Sequence, residues 1–89
     1  MPLPARLVES ALVNKLGFRR ENRNHKFYLL EISGNVVRKT MISHGERQIS
    51  DKLLSAMARE LGVTRRQLED IVNCTISRDD YLRLIGVIS

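Results

Sequence analysis

At 89 residues, with 43% hydrophobic and 28% charged side chains, the chain has the size and composition of one globular domain with a single modest core. No apolar run approaches the ~18 residues of a membrane span, and one cysteine, Cys74, leaves neither an internal disulfide nor a thiolate metal knuckle. The formal net charge is +5, of which residues 18–47 carry +4. Such a concentration suits a polyanion, because each phosphate contact releases counterions, and it is also compatible with a solvated basic face. MPLPARLVES has no charged stretch followed by an apolar one, so no signal peptide is expected and a reducing, cytoplasmic setting is.

Pro4 suits a first helical turn, and Leu7, Val8, Ala11, Leu12 and Leu16 recur at helical spacing up to Gly17, predicting a helix over 4–16. Phe18–Glu21 reads as a short strand and Asn22-Arg23-Asn24 as a turn. Phe27–Ile32 and Val36–Ile42 then form a hairpin about Ser33-Gly34-Asn35. Neither hairpin strand alternates cleanly, so apolar groups on the second sheet face are expected to be covered by a later segment or another subunit.

Three helix starts follow. Ser50 is an N-cap before a stripe of Leu53, Leu54, Met57, Ala58 and Leu61, ended by Gly62. Thr64 and Gln67 form a capping box for a helix through Leu68, Ile71 and Val72. Ser77 caps a last helix that opens with Asp79 and Asp80 and buries Tyr81, Leu82 and Ile85. Cys74 is expected as a small buried residue between helices. The layout is α-β-β-β-α-α-α, an α+β domain over residues 1–89 with its helices on the sheet.

The only two histidines, His25 and His44, bracket the hairpin, and even pairing about its turn brings them to one edge of the sheet. Arg19, Arg20, Arg23, Lys26, Arg38, Lys39 and Arg47 stand on or beside the same hairpin. A histidine titrates near ~6.5 and can take and return a proton at neutral pH. RNA carries its own nucleophile in the 2′-OH, so its cleavage needs a base, an acid and cations around the phosphorane charge. His25 amid these cations offers such a set, whereas a histidine at a strand start is also an ordinary surface residue. His44, in a loop before Gly45, suits a backbone cap, a phosphate contact or a bond to the other histidine. Two histidines nineteen apart without a second thiol make no zinc site, Gly34 and Gly17 are a turn and a cap rather than a phosphate loop, and Ser43 beside His44 makes no triad.

Asn24-His25, the apolar strand, the Gly34 turn, Met41, His44, Ile49, Leu53 or Leu54, Ala58 and Leu61-Gly62-Val63 stand in an order that resembles the HicA family of toxin–antitoxin toxins. The likeness covers residues 5–63 and leaves 64–89 as a helical extension. It implies a core like a double-stranded-RNA-binding domain, α-β-β-β-α, with two further C-terminal helices. It also implies a metal-independent mRNA endonuclease with no cofactor, neutralised by a HicB-like antitoxin. The family's catalytic histidine falls on His25 and its loop histidine on His44; Asn24 and the seven basic residues would hold RNA. The family carries Gly-Ser shortly before its histidine, where this chain has Asn22-Arg23. The other readings are a non-catalytic RNA- or DNA-binding module, and a protein-interaction module whose extra helices dimerise.

Overall fold

In the computed structural model, which describes residues 2–89, Leu3–Pro4 (β1) runs antiparallel to Gln48–Ile49 (β5), and the Ala5 amide donates to Arg47 O at 2.8 Å. The sequence pattern does not announce this ribbon. Pro4 lacks an amide and holds φ at −59°, so it serves both as an edge-strand residue and as the residue before the helix. The first helix (α1) is α-helical only over Ala5–Ser10 and widens to a π-helix over Ala11–Lys15, against the uniform helix expected. The wider turn buries Ala11, Leu12 and Leu16 together and carries the Lys15 ammonium to the Ile71 and Val72 carbonyls, at 3.3 and 2.8 Å.

Arg19–Asn22 (β2), Lys26–Ile32 (β3) and Asn35–Ile42 (β4) form an antiparallel meander in the order β2-β3-β4. Directly paired residues share a face. Tyr28 therefore stands with Arg20 and Thr40, and Leu30 with Arg38, on the side that meets the helices. Phe27 stands with Glu21 and Met41, and Leu29 with Arg19 and Lys39, on the other. The register slips by one residue at Leu30/Glu31: Arg38 opposes Leu30 while Val36 opposes Glu31, leaving Val37 as a bulge. This slip explains the imperfect alternation of the strand, because it turns Val36 to the outer face, where it is half exposed.

Asp51–Leu61 (α2), Arg65–Val72 (α3) and Arg78–Leu84 (α4) begin at the expected caps. Ser50 Oγ accepts from the Leu53 amide, and both the Thr64–Gln67 and Ser77–Asp80 boxes are closed. Leu68, Ile71, Val72, Tyr81 and Leu82 share one core cluster with Leu12, Leu16, Phe18, Tyr28, Leu30 and Leu61. Arg78 Nε donates to Leu16 O at 3.2 Å, and the Tyr81 hydroxyl to Leu61 O at 2.9 Å. The last two helices thus plug into the first two. They do not cover the outer sheet face, where Val36 and Met41 stay 50% and 41% exposed.

Cys74 departs from expectation: it is exposed, at φ +67°, in the turn that reverses the chain between α3 and α4, with Sγ beside the Lys15 ammonium. The reversal needs a left-handed residue, and that geometry turns the thiol outward. Among the described residues no helix is long and apolar enough to cross a membrane.

Candidate nucleic-acid interface

The β2–β3 connection, Arg23-Asn24-His25, organises one end of the sheet. The Arg23 amide donates to His25 O at 2.9 Å, closing the loop with Asn24 exposed at its tip. From beyond the end of β4, His44 Nε2 reaches Arg23 O at 3.0 Å. A carbonyl only accepts, so Nε2 carries the proton and His44 acts as a backbone clamp. Both histidines converge on Arg23, one through its main chain and the other through its ring.

The His25 ring is half-buried and stands edge-on to Phe27, 6.4 Å between centroids at 74°. Its Nδ1 is enclosed and has no hydrogen-bond partner among the described residues. Proton transfer to a substrate would therefore run through Nε2, without the carboxylate or carbonyl that commonly orients a catalytic imidazole.

The expected basic patch divides between the two faces of the sheet. On the outer face, Arg19 bridges Glu21 at 3.1 Å and Glu31 at 2.8 Å. Arg23 pairs with Glu21 at 2.7 Å, its guanidinium 5.9 Å from the Phe27 centroid, and Lys39 Nζ lies 5.5 Å from the same centroid. On the helix-facing side, Lys26 Nζ reaches Glu9 at 3.2 Å and Arg20 lies 3.7 Å from the same carboxylate. Arg38 bonds Val37 O at 2.7 Å and lies against Gly62. Arg47 is exposed on the loop before β5, beside Arg6 and Glu46 at a cleft against the N-terminal segment. The reason is the two-residue period of a strand: Arg19 and Arg20, or Arg38 and Lys39, are neighbours in sequence and opposites in space. Arg23, Lys39 and His25 thus meet at the Phe27 ring and Arg19 stays on the same face against Glu21 and Glu31, while Arg20, Lys26 and Arg38 stand on the helix-facing side, Arg20 with 45% of its side chain still exposed.

Two participants are not evident from the sequence. Glu9 projects from α1 to the edge of β3, where Tyr28 hydroxyl and Lys26 donate to it. Burial pushes its carboxyl up, but the Tyr28 bond and the Lys26 and Arg20 charges outweigh that and hold it below the ordinary value. The same burial, with Glu9 beside it, drives the Tyr28 hydroxyl above the ordinary phenol range. Nothing in the helical pattern marks Glu9, since its partners come from a strand that only the fold brings near.

Phe27 is the second. With Glu21, Arg23, Leu29, Val36 and Lys39 it lines a depression of about 250 Å³ on the outer face. The sequence signal that was available is its place two residues from His25, on the odd-numbered face of a strand with basic neighbours. Among the described residues no group of three or more His, Cys, Asp or Glu side chains is arranged to hold a metal ion. Comparison of the chain with protein-family models, curated proteins and solved structures finds no match.

Proposed function

We propose that the chain is an RNA endonuclease of HicA type that acts in the cytoplasm and is neutralised by a HicB-like protein. His25 is its general acid/base. The observation that carries this reading is the grouping of His25, Arg23, Lys39 and Phe27 at one end of a sheet face that no helix covers. The order α1-β2-β3-β4-α2, with helices on one face of a three-stranded meander, supports a core like a double-stranded-RNA-binding domain. The residue order resembling HicA supports the placement of the histidine.

In the proposed reaction His25 Nε2 takes the 2′-OH proton as that oxygen attacks the adjacent phosphorus. The P–O5′ bond breaks, leaving a 2′,3′-cyclic phosphate, and the imidazolium returns the proton to the departing 5′-oxygen. Arg23 and Lys39, which share the Phe27 ring with His25, offset the charge on the phosphorane. The test is cleavage of a single-stranded RNA in EDTA by the wild type and by His25→Ala. Product from the wild type and none from a folded variant supports the reading, and equal cleavage by both overturns it.

A second reading, RNA binding without cleavage, is favoured by the unpartnered His25 Nδ1, because an imidazole with no orienting partner is poorly prepared for proton transfer. RNA retained equally by wild type and His25→Ala, with no product from either, would select it.

A further inference from the structure

We propose that Phe27 is the stacking platform for one unpaired nucleobase of a single-stranded RNA, with Arg23 and Lys39 taking the phosphates on either side. This rests on the RNA-directed reading above and adds to it a base-contacting subsite that involves neither histidine as a proton carrier. The ring lies on the outer face, paired across the strands with Glu21 and Met41. Two cations approach it, the Arg23 guanidinium at 5.9 Å and the Lys39 ammonium at 5.5 Å. Both sit on flexible stems, and Arg23 is 67% exposed. Both cations lie over the ring in the unliganded chain, so a base reaches the π surface as they swing aside to the flanking phosphates, matching a single strand's two features, a flat base and an anionic backbone.

Other occupants fit less well. A base inside a duplex keeps its faces stacked on its neighbours, so the ring cannot reach it. A second copy of the chain docked face to face would have to bury Arg19, Arg23 and Lys39 of both copies with Glu21 and Glu31 as their carboxylate partners on this face, leaving an excess of positive charge in the interface. Val36 and Met41, exposed beside the ring, extend an apolar floor on which a base can rest edgewise. Glu21 sets the resting state: it holds Arg23 at 2.7 Å, and the arriving phosphate competes with that carboxylate for the guanidinium.

The probe is a short single-stranded RNA carrying one 2-aminopurine, bound to the full chain with cleavage blocked by a 2′-O-methyl group on every ribose. Fluorescence quenching reports stacking and anisotropy reports affinity. Phe27→Leu is expected to lose the quenching and about tenfold or more in affinity, while Phe27→Tyr keeps both. Lys39→Gln is expected to weaken binding and to lower the slope of log K against log salt by about 0.7, with quenching preserved. Replacing the probe nucleotide by an abasic one should weaken binding to the unaltered protein as much as Phe27→Leu does, which keeps the test independent of how any variant folds. RNA binding that is indifferent to both Phe27→Leu and the abasic site overturns the platform while leaving the RNA reading standing. No RNA binding by the wild type overturns both. Self-association abolished by Met41→Lys would assign the face to a second copy and overturn the proposal.

Discussion

His44 Nε2 stands 3.0 Å from the main-chain oxygen of Arg23, twenty-one residues earlier in the chain. This contact locks the β2–β3 loop from outside and leaves the Arg23 side chain free to lie over Phe27. The two histidines therefore stand differently: the His44 ring holds the loop backbone, while the His25 ring stands edge-on to Phe27.

His44→Ala should accordingly loosen the loop while leaving the His25 side chain, the proposed proton carrier, in place. A solvent-exposed hydrogen bond of this kind contributes about 0.5 kcal/mol, so the melting temperature should fall by only a few degrees. Cleavage should decline severalfold and persist, where His25→Ala abolishes it. Parallel turnover measurements on the two variants check this difference, and complete inactivation of folded His44→Ala would contradict it.

Gly62→Ala is expected to be costly for two reasons. Gly62 ends α2 at φ +81°, and a Cβ there would lie 2.9 Å from Arg38 Nε and 3.2 Å from Ile85 Cγ2. Gly34, at φ +83° in the hairpin turn, meets nothing within 4 Å. Gly34→Ala should cost about 1 kcal/mol from backbone strain alone, and Gly62→Ala about 2–3 kcal/mol. Urea unfolding of the pair gives the comparison.

Tyr28→Phe removes the hydroxyl that donates to Glu9 and should cost about 1–3 kcal/mol near neutral pH. Glu9 in the folded chain titrates below its ordinary 4.5. A carboxyl depressed on folding stabilises the fold above its unfolded pKa, and that stability is lost as pH falls through the folded value. The difference between wild type and Tyr28→Phe should therefore be full at pH 7 and shrink below pH 4.5. Denaturation curves across that interval would show the convergence.

Deleting residues 64–89 should leave a fragment that does not fold. Leu68, Ile71, Tyr81 and Leu82 fill the same cluster as Leu12, Leu16 and Leu61, so their loss exposes an apolar surface inside that core. A cooperative thermal transition in the 1–63 fragment would refute this.

Much of the chain's local plan can be read from its letters. The caps at Ser50, Thr64 and Ser77, the stop at Gly62 and the hairpin about Gly34 depend on interactions within a few residues, and each stands where its motif predicts. The π-helical turn at Ala11–Lys15 and the β1–β5 ribbon were not legible. One is set by how Lys15 and Leu16 meet α3 and α4, and the other joins residues more than forty positions apart.

The sequence by itself determined the meander and the capped helices, and that two histidines bracket a hairpin with seven cations on or beside it, because spacing and turn chemistry are local. Only the tertiary structure decided which of those cations share a sheet face. The pleat, the bulge at Val37 and the carboxylate of Glu9 put Arg20, Lys26 and Arg38 on the helix-facing side and leave Arg23 and Lys39 over Phe27. A side chain's face is fixed by what packs against the sheet, and for Arg20 and Lys26 that partner is Glu9, on the helix that precedes the sheet.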